Sequence, residues 1–192
     1  VTMDTGAILS SRGSLSVNAG ALALSGFQNR PKSIVMAPDA AMFAQSTLEI
    51  TAVGGAALTG LRSRLSTAGQ DGIIISAAQL RDAGDSLIDL TTEDGVFARI
   101  DVQQSGLDYP TGLETQIGGL DATVQRGDIL IREVDDLIVR RAEAPLGNVD
   151  IFAFGDIQLN GAPAAGGTPQ ATITSGVRDN TAVITAAEGL YT

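Results

Sequence analysis

Apolar and polar residues alternate along most of this chain, and between residues 127 and 166 the alternation itself repeats. Two consecutive blocks of 20 residues, GDILIREVDDLIVRRAEAPL and GNVDIFAFGDIQLNGAPAAG, lie one on the other. Gly127 falls on Gly147, Asp128 on Asn148, Ile129 on Val149 and Ile131 on Ile151. Further along, Val134 falls on Phe154, Asp136 on Asp156, Leu137 on Ile157 and Val139 on Leu159. Within a block the apolar positions recur every second residue, the period of a strand with one buried face. Between blocks they recur after 20 residues, a repeat length of solenoids. One block has too little apolar surface to fold alone, whereas stacked blocks bury their inward faces against each other. The pattern predicts strands at 128–134, 136–140, 148–153 and 156–159. The fold expected is all-β, a single-stranded parallel β-helix; the alternative is an antiparallel β-sandwich with two similar hairpins.

Shorter alternating runs precede and follow these blocks. Leu15 and Val17, Leu22 and Leu24, Leu48 and Ile50, Ile73 to Ile75, and Ile88 with Leu90 each read as a strand. So do Val96 to Val102, Leu113 to Ile117, Leu120 to Val124, Ala171 with Ile173, and Val183 to Tyr191. Gly, Asp and Asn punctuate them. Residues 28–47 carry two prolines and read as a loop or insertion, with Pro38-Asp39-Ala40 opening a short helix through Phe43. Outside 127–166 the strands recur at uneven intervals, which a solenoid tolerates because loops bulge at one corner. The whole of 1–192 reads as one segment. At about 20 residues per coil it would make roughly nine coils and a rod ~40–45 Å long. No obvious polar cap marks either terminus, and no initiator Met is present. The chain therefore reads as a slice of a longer repeat protein.

Composition narrows the chemistry. The 192 residues include 23 glycines, and aromatic residues make up only 4%, which suits a narrow core of Ile, Leu, Val and Ala. Cysteine is absent, which removes disulfides, thiolate metal sites and Cys nucleophiles. Histidine is absent too, which removes a Ser–His–Asp triad, His-ligated zinc and a His base. The net charge is −10, and Lys32 is the one lysine. Neither nucleic acid nor an anionic membrane is an expected partner, and no apolar run is long enough for a bilayer span.

Four motifs invite chemistry. Gly84-Asp85-Ser86-Leu87 matches the GDSL hydrolase signature, but its serine would need a histidine to take its proton. Asp4-Thr5-Gly6 is similar to an aspartic-protease loop, where an Asp from each of two halves shares a proton; here only a homodimer would supply the second. Arg126, Gly127 and Asp128 form an integrin-type tripeptide and are the candidate binding residues, although Gly127 and Asp128 are also corner positions matched by Gly147 and Asn148. The stacked acids Asp136 and Asp156 are either solvated turn residues or sharers of a cation. The Gly-Gly-x-Gly-x-Asp nonapeptide of calcium β-rolls is absent, so no metal site or cofactor is expected.

The succession Gly-Asp-Ile-x-Ile, Asp-x-Leu-x-Val, Gly-Asn-Val-x-Ile, Gly-Asp-Ile-x-Leu over 127–160 resembles the shaft repeats of filamentous-haemagglutinin-like adhesins and other giant bacterial exoproteins. The resemblance implies a right-handed parallel β-helix, export through an outer-membrane partner, and adhesion at the bacterial cell surface. The partners expected are a receptor or glycan on a host or neighbouring cell, and the neighbouring coils of a parent chain. The expected role is a non-enzymatic, rigid module that presents loops. A carbohydrate-binding or glycan-cleaving module and a homodimeric aspartic protease are the alternatives.

Overall fold

The structure is a computed structural model that describes residues 1–19, 33–37, 39–52, 55–58, 64–68, 72–82, 88–107, 111–159, 172–175, 182–186 and 189–191. Among these residues it is all-β, and the described strands form two sheets of 12 and 8 strands. Every strand pair described is parallel. The antiparallel sandwich is therefore overturned. Parallel neighbours cannot be joined by a tight hairpin, and between residues 72 and 159 the chain reaches the next strand of one sheet by way of the other. Gly72–Asp82, Phe97–Ser105, Gly119–Arg126, Leu137–Ala144 and Asp156–Leu159 lie side by side in the larger sheet. Leu90–Thr91, Leu113–Gln116, Ile129–Glu133 and Val149–Ala153 come between them in sequence and lie side by side in the smaller one.

Register carries like side chains onto like. Ile129 pairs with Val149, Ile131 with Ile151, and Leu137 with Ile157. In the larger sheet one column runs Leu48, Ile73, Ala98, Leu120, Val139, each fully buried. In the smaller sheet Leu113, Ile131 and Ile151 make a second, likewise buried column. The inward residues of both sheets merge into one apolar core. Full burial of an Ile or Leu side chain contributes about 1.5–3 kcal/mol, so these columns are the main cohesive element. The outward residues between them are half-buried or exposed, as the alternating burial of Thr47–Ala52 and Val149–Ala153 shows.

Three expectations are corrected. Residues 28–47 are not simply a loop: Ser33–Met36 and Ala41–Ala44 are strands, one in each sheet. No helix opens at Asp39; that residue adopts φ 59° in the turn between the two strands, where the Ala40 N–H donates to the Ala37 carbonyl at 3.1 Å. Val134 and Phe154, paired by the repeat as apolar positions, are not inside: they are 39% and 62% exposed. The strands read at Leu22 and Leu24 lie outside the described residues.

One irregularity sits in Leu137–Ala144. Leu120 pairs with Val139 but Asp121 with Arg141, so Arg140 is an extra residue, a β-bulge. Its guanidinium stacks on the Phe97 ring, 4.0 Å from the ring centroid. Arg141 is thereby turned onto Asp121, Nε to Oδ1 at 2.6 Å.

Candidate functional site

The corners between the sheets hold most of the polar chemistry. At the first, Asp128 accepts the Asn148 backbone N–H at 2.7 Å and its side-chain amide at 3.1 Å, both on Oδ1. At the second, Asp136 Oδ1 accepts the Asp156 N–H at 2.8 Å. The stacked acids are thus caps: the carboxylate of one repeat satisfies the amide of the next, which a turn leaves without a sheet partner. Among the described residues no group of three or more acidic side chains is placed to hold a metal ion.

Close approach of the backbones explains Gly147. A Cβ there would lie 1.9 Å from the Gly127 carbonyl oxygen. Gly127 itself adopts φ 87°, the left-handed region that glycine reaches without strain.

Arg126 is exposed and Asp128 half-buried, at the corner after Gly119–Arg126. The tripeptide therefore sits on a surface corner, with its aspartate already holding Asn148. Asp4 is exposed in a turn, where its carbonyl accepts the Ala7 N–H at 3.0 Å. Gly84-Asp85-Ser86-Leu87 lies outside the described residues.

A polar pair interrupts the core where sequence reading placed no site. Met42, Leu65 and Leu90 form an inward column that continues as Thr115 and Glu133 before returning to Ala153. Glu133 is 0% exposed. Its Oε2 accepts the Thr115 hydroxyl at 2.8 Å and the Ile117 N–H at 3.0 Å. Its Oε1 accepts the Val134 N–H at 2.9 Å. Burial, and then the hydrogen bond with Asp135, push its pKa up to about 8, against the opposing pull of Thr115 and Ile117. Through these bonds the group staples two adjacent corners.

Among the described residues, a concave surface lies at the corners and another on an outer sheet face. A groove of about 700 Å³ crosses the corners and is lined by Asp94, Gln116, Asp135, Asp136, Asp156 and Gln158 among others. Glu133 is fully buried and is not part of the lining of this groove. A second groove of about 540 Å³ lies on the outer face of the smaller sheet. There Arg132 and Asp150 form a two-bond fork, with Nη1 to Oδ1 at 3.2 Å and Nη2 to Oδ2 at 3.0 Å. Phe152 and Phe154 meet edge to face, with ring centroids 5.0 Å apart.

No family model matches this chain, and neither a curated protein nor a solved structure is detectably similar to it.

Proposed function

We propose that the chain is a right-handed β-helical segment of a secreted or cell-surface bacterial adhesin, a stiff shaft that holds loops and grooves in fixed register. The observation that carries this reading is the matched parallel pairing of strands 20 residues apart, Ile131 on Ile151 and Leu137 on Ile157, with the corner caps at the same spacing. Such a stack lengthens by adding repeats without redesign of its core. Its output is geometry: distance from the cell, rigidity, and a repeated surface. The handedness, the surface location and the export route rest on the likeness of the repeat to adhesin shafts. The test is attachment. Chain displayed on otherwise non-adherent bacteria should raise their binding to host cells or to neighbouring bacteria, and soluble chain should compete. Equal attachment with and without it would refute the adhesin role.

A further inference from the structure

We propose that the groove on the outer face of the smaller sheet binds a neutral glycan, with Phe154 as the stacking platform and the Arg132–Asp150 fork as the polar wall. Phe154 is 62% exposed and Val134, at the equivalent corner one repeat earlier, is 39% exposed, so two successive corners display apolar surface to the same groove. Phe152 meets Phe154 at an interplanar angle of 89°, so each ring keeps a face that the other does not cover. Apolar C–H faces of a sugar ring suit such a platform. Beside it, the side chains of Arg132 and Asp150 are 21% and 24% exposed, set as a two-bond pair, and present donors and acceptors side by side. Thr111 and Thr185 add hydroxyls to the lining.

Charge and topology select the ligand. Arg132 is paired with Asp150, Glu114 adds a second carboxylate to the lining, and the chain carries −10 overall, so a polyanion gains no attraction here. An apolar peptide would cover the ion pair and strip its water without replacing it, a costly desolvation. Strand addition needs a sheet edge, but Ile129–Glu133 and Val149–Ala153 are each paired on both sides. A neutral polyol satisfies the fork with hydroxyls while its C–H face covers the ring.

The experiment is a binding array of neutral polysaccharides (glucans, mannan, galactan) with heparin as the anionic control, followed by calorimetry on the best ligand. The intact chain is compared with Phe154→Ala and Asp150→Asn, and each variant's melting is recorded. The expected result is binding to a neutral polysaccharide, weakened about tenfold or more in Phe154→Ala with unchanged melting, and weakened in Asp150→Asn. Binding to heparin alone, no binding to any neutral polysaccharide, or binding indifferent to Phe154→Ala would overturn the proposal. So would self-association abolished by Phe154→Ala in place of glycan binding. Failure of attachment in the displayed-chain assay would leave this result standing, because the groove is tested here on the isolated chain.

Discussion

Asp128 holds Asn148 by two hydrogen bonds to a single carboxylate oxygen, one from the backbone and one from the side chain. Asp136 holds the Asp156 backbone amide by one hydrogen bond at the other corner. Both aspartates act as stack hardware, and a net intramolecular hydrogen bond is worth roughly 1 kcal/mol. Asp128→Ala should therefore lower stability by about 1 kcal/mol or somewhat more, and Asp128→Asn by less, since it keeps an acceptor. Calcium should not raise the melting temperature of either the intact chain or the variants. Melting curves with and without calcium measure both; a calcium-dependent rise would give the acids a different role.

Gly147 should be hard to replace. In Gly147→Ala the new carbon meets the Gly127 carbonyl at 1.9 Å, and backbone on both sides must move. The expected loss is about 2–4 kcal/mol, in the range of severe point mutations. Gly13→Ala is the matched control, because a Cβ there meets nothing within 4 Å. Denaturant midpoints for the two variants should separate clearly.

Core and surface apolar positions should likewise part company. Ile151→Ala opens a cavity in a column that is fully buried and should cost about 2–5 kcal/mol. Val134→Ala, at an exposed corner, should shift stability by less than about 1 kcal/mol. The repeat alone puts the two positions in one class, so urea midpoints distinguish the packing seen here from the bare alternation.

These contrasts show where sequence was informative. The strands at 128–134, 136–140, 148–153 and 156–159 were legible because apolar residues at spacing two and a 20-residue recurrence agreed; they are observed as Ile129–Glu133, Leu137–Ala144, Val149–Ala153 and Asp156–Leu159. Ser33–Met36 and Ala41–Ala44 were missed because Pro31 and Pro38 outweighed a good alternation, with Ile34, Met36, Met42 and Ala44 all buried. Prolines beside a strand end it without forbidding it. Val134 and Phe154 misled because apolar character says nothing about which side of a corner a residue takes. Glu133 carried its own signal: counting by two from Ile129 and Ile131 lands on it, which places a carboxyl inside. The outer groove was not legible, because it depends on Phe152, Phe154, Arg132 and Asp150 meeting across adjacent strands. The acid caps were half legible; their spacing was seen, but the amides they serve emerge only from register.

The buried Glu133 makes stability depend on pH. Its folded pKa is raised to about 8 from an ordinary 4.5, so the folded state holds the proton more tightly than the unfolded chain. This contribution is fully present below pH 4.5, falls as pH rises between the two values, and is gone above about pH 8. The change is on the order of a few kcal/mol. Glu133→Gln should flatten this part of the profile. It should also cost roughly 1–3 kcal/mol, because its amide cannot accept from Val134 and Ile117 together. Denaturant midpoints from pH 5 to 9 provide the check. An unchanged slope in the variant would assign the dependence elsewhere.

The parallel, in-register pairing of strands one repeat apart is tested most directly by disulfide cross-linking, which the absence of native cysteine makes clean. Asp121 pairs with Arg141 and Thr123 with Glu143 on the outer face of the larger sheet. A disulfide requires Cα atoms within about 7 Å, which direct neighbours meet and diagonal ones, at roughly 7–8 Å, do not. Cysteine pairs at 121 with 141 and at 123 with 143 should oxidise readily in the folded chain, while 121 with 143 and 123 with 141 should not. Cross-linking of the diagonal pairs in preference to the direct ones would mean strands running head to tail, and would contradict the stack.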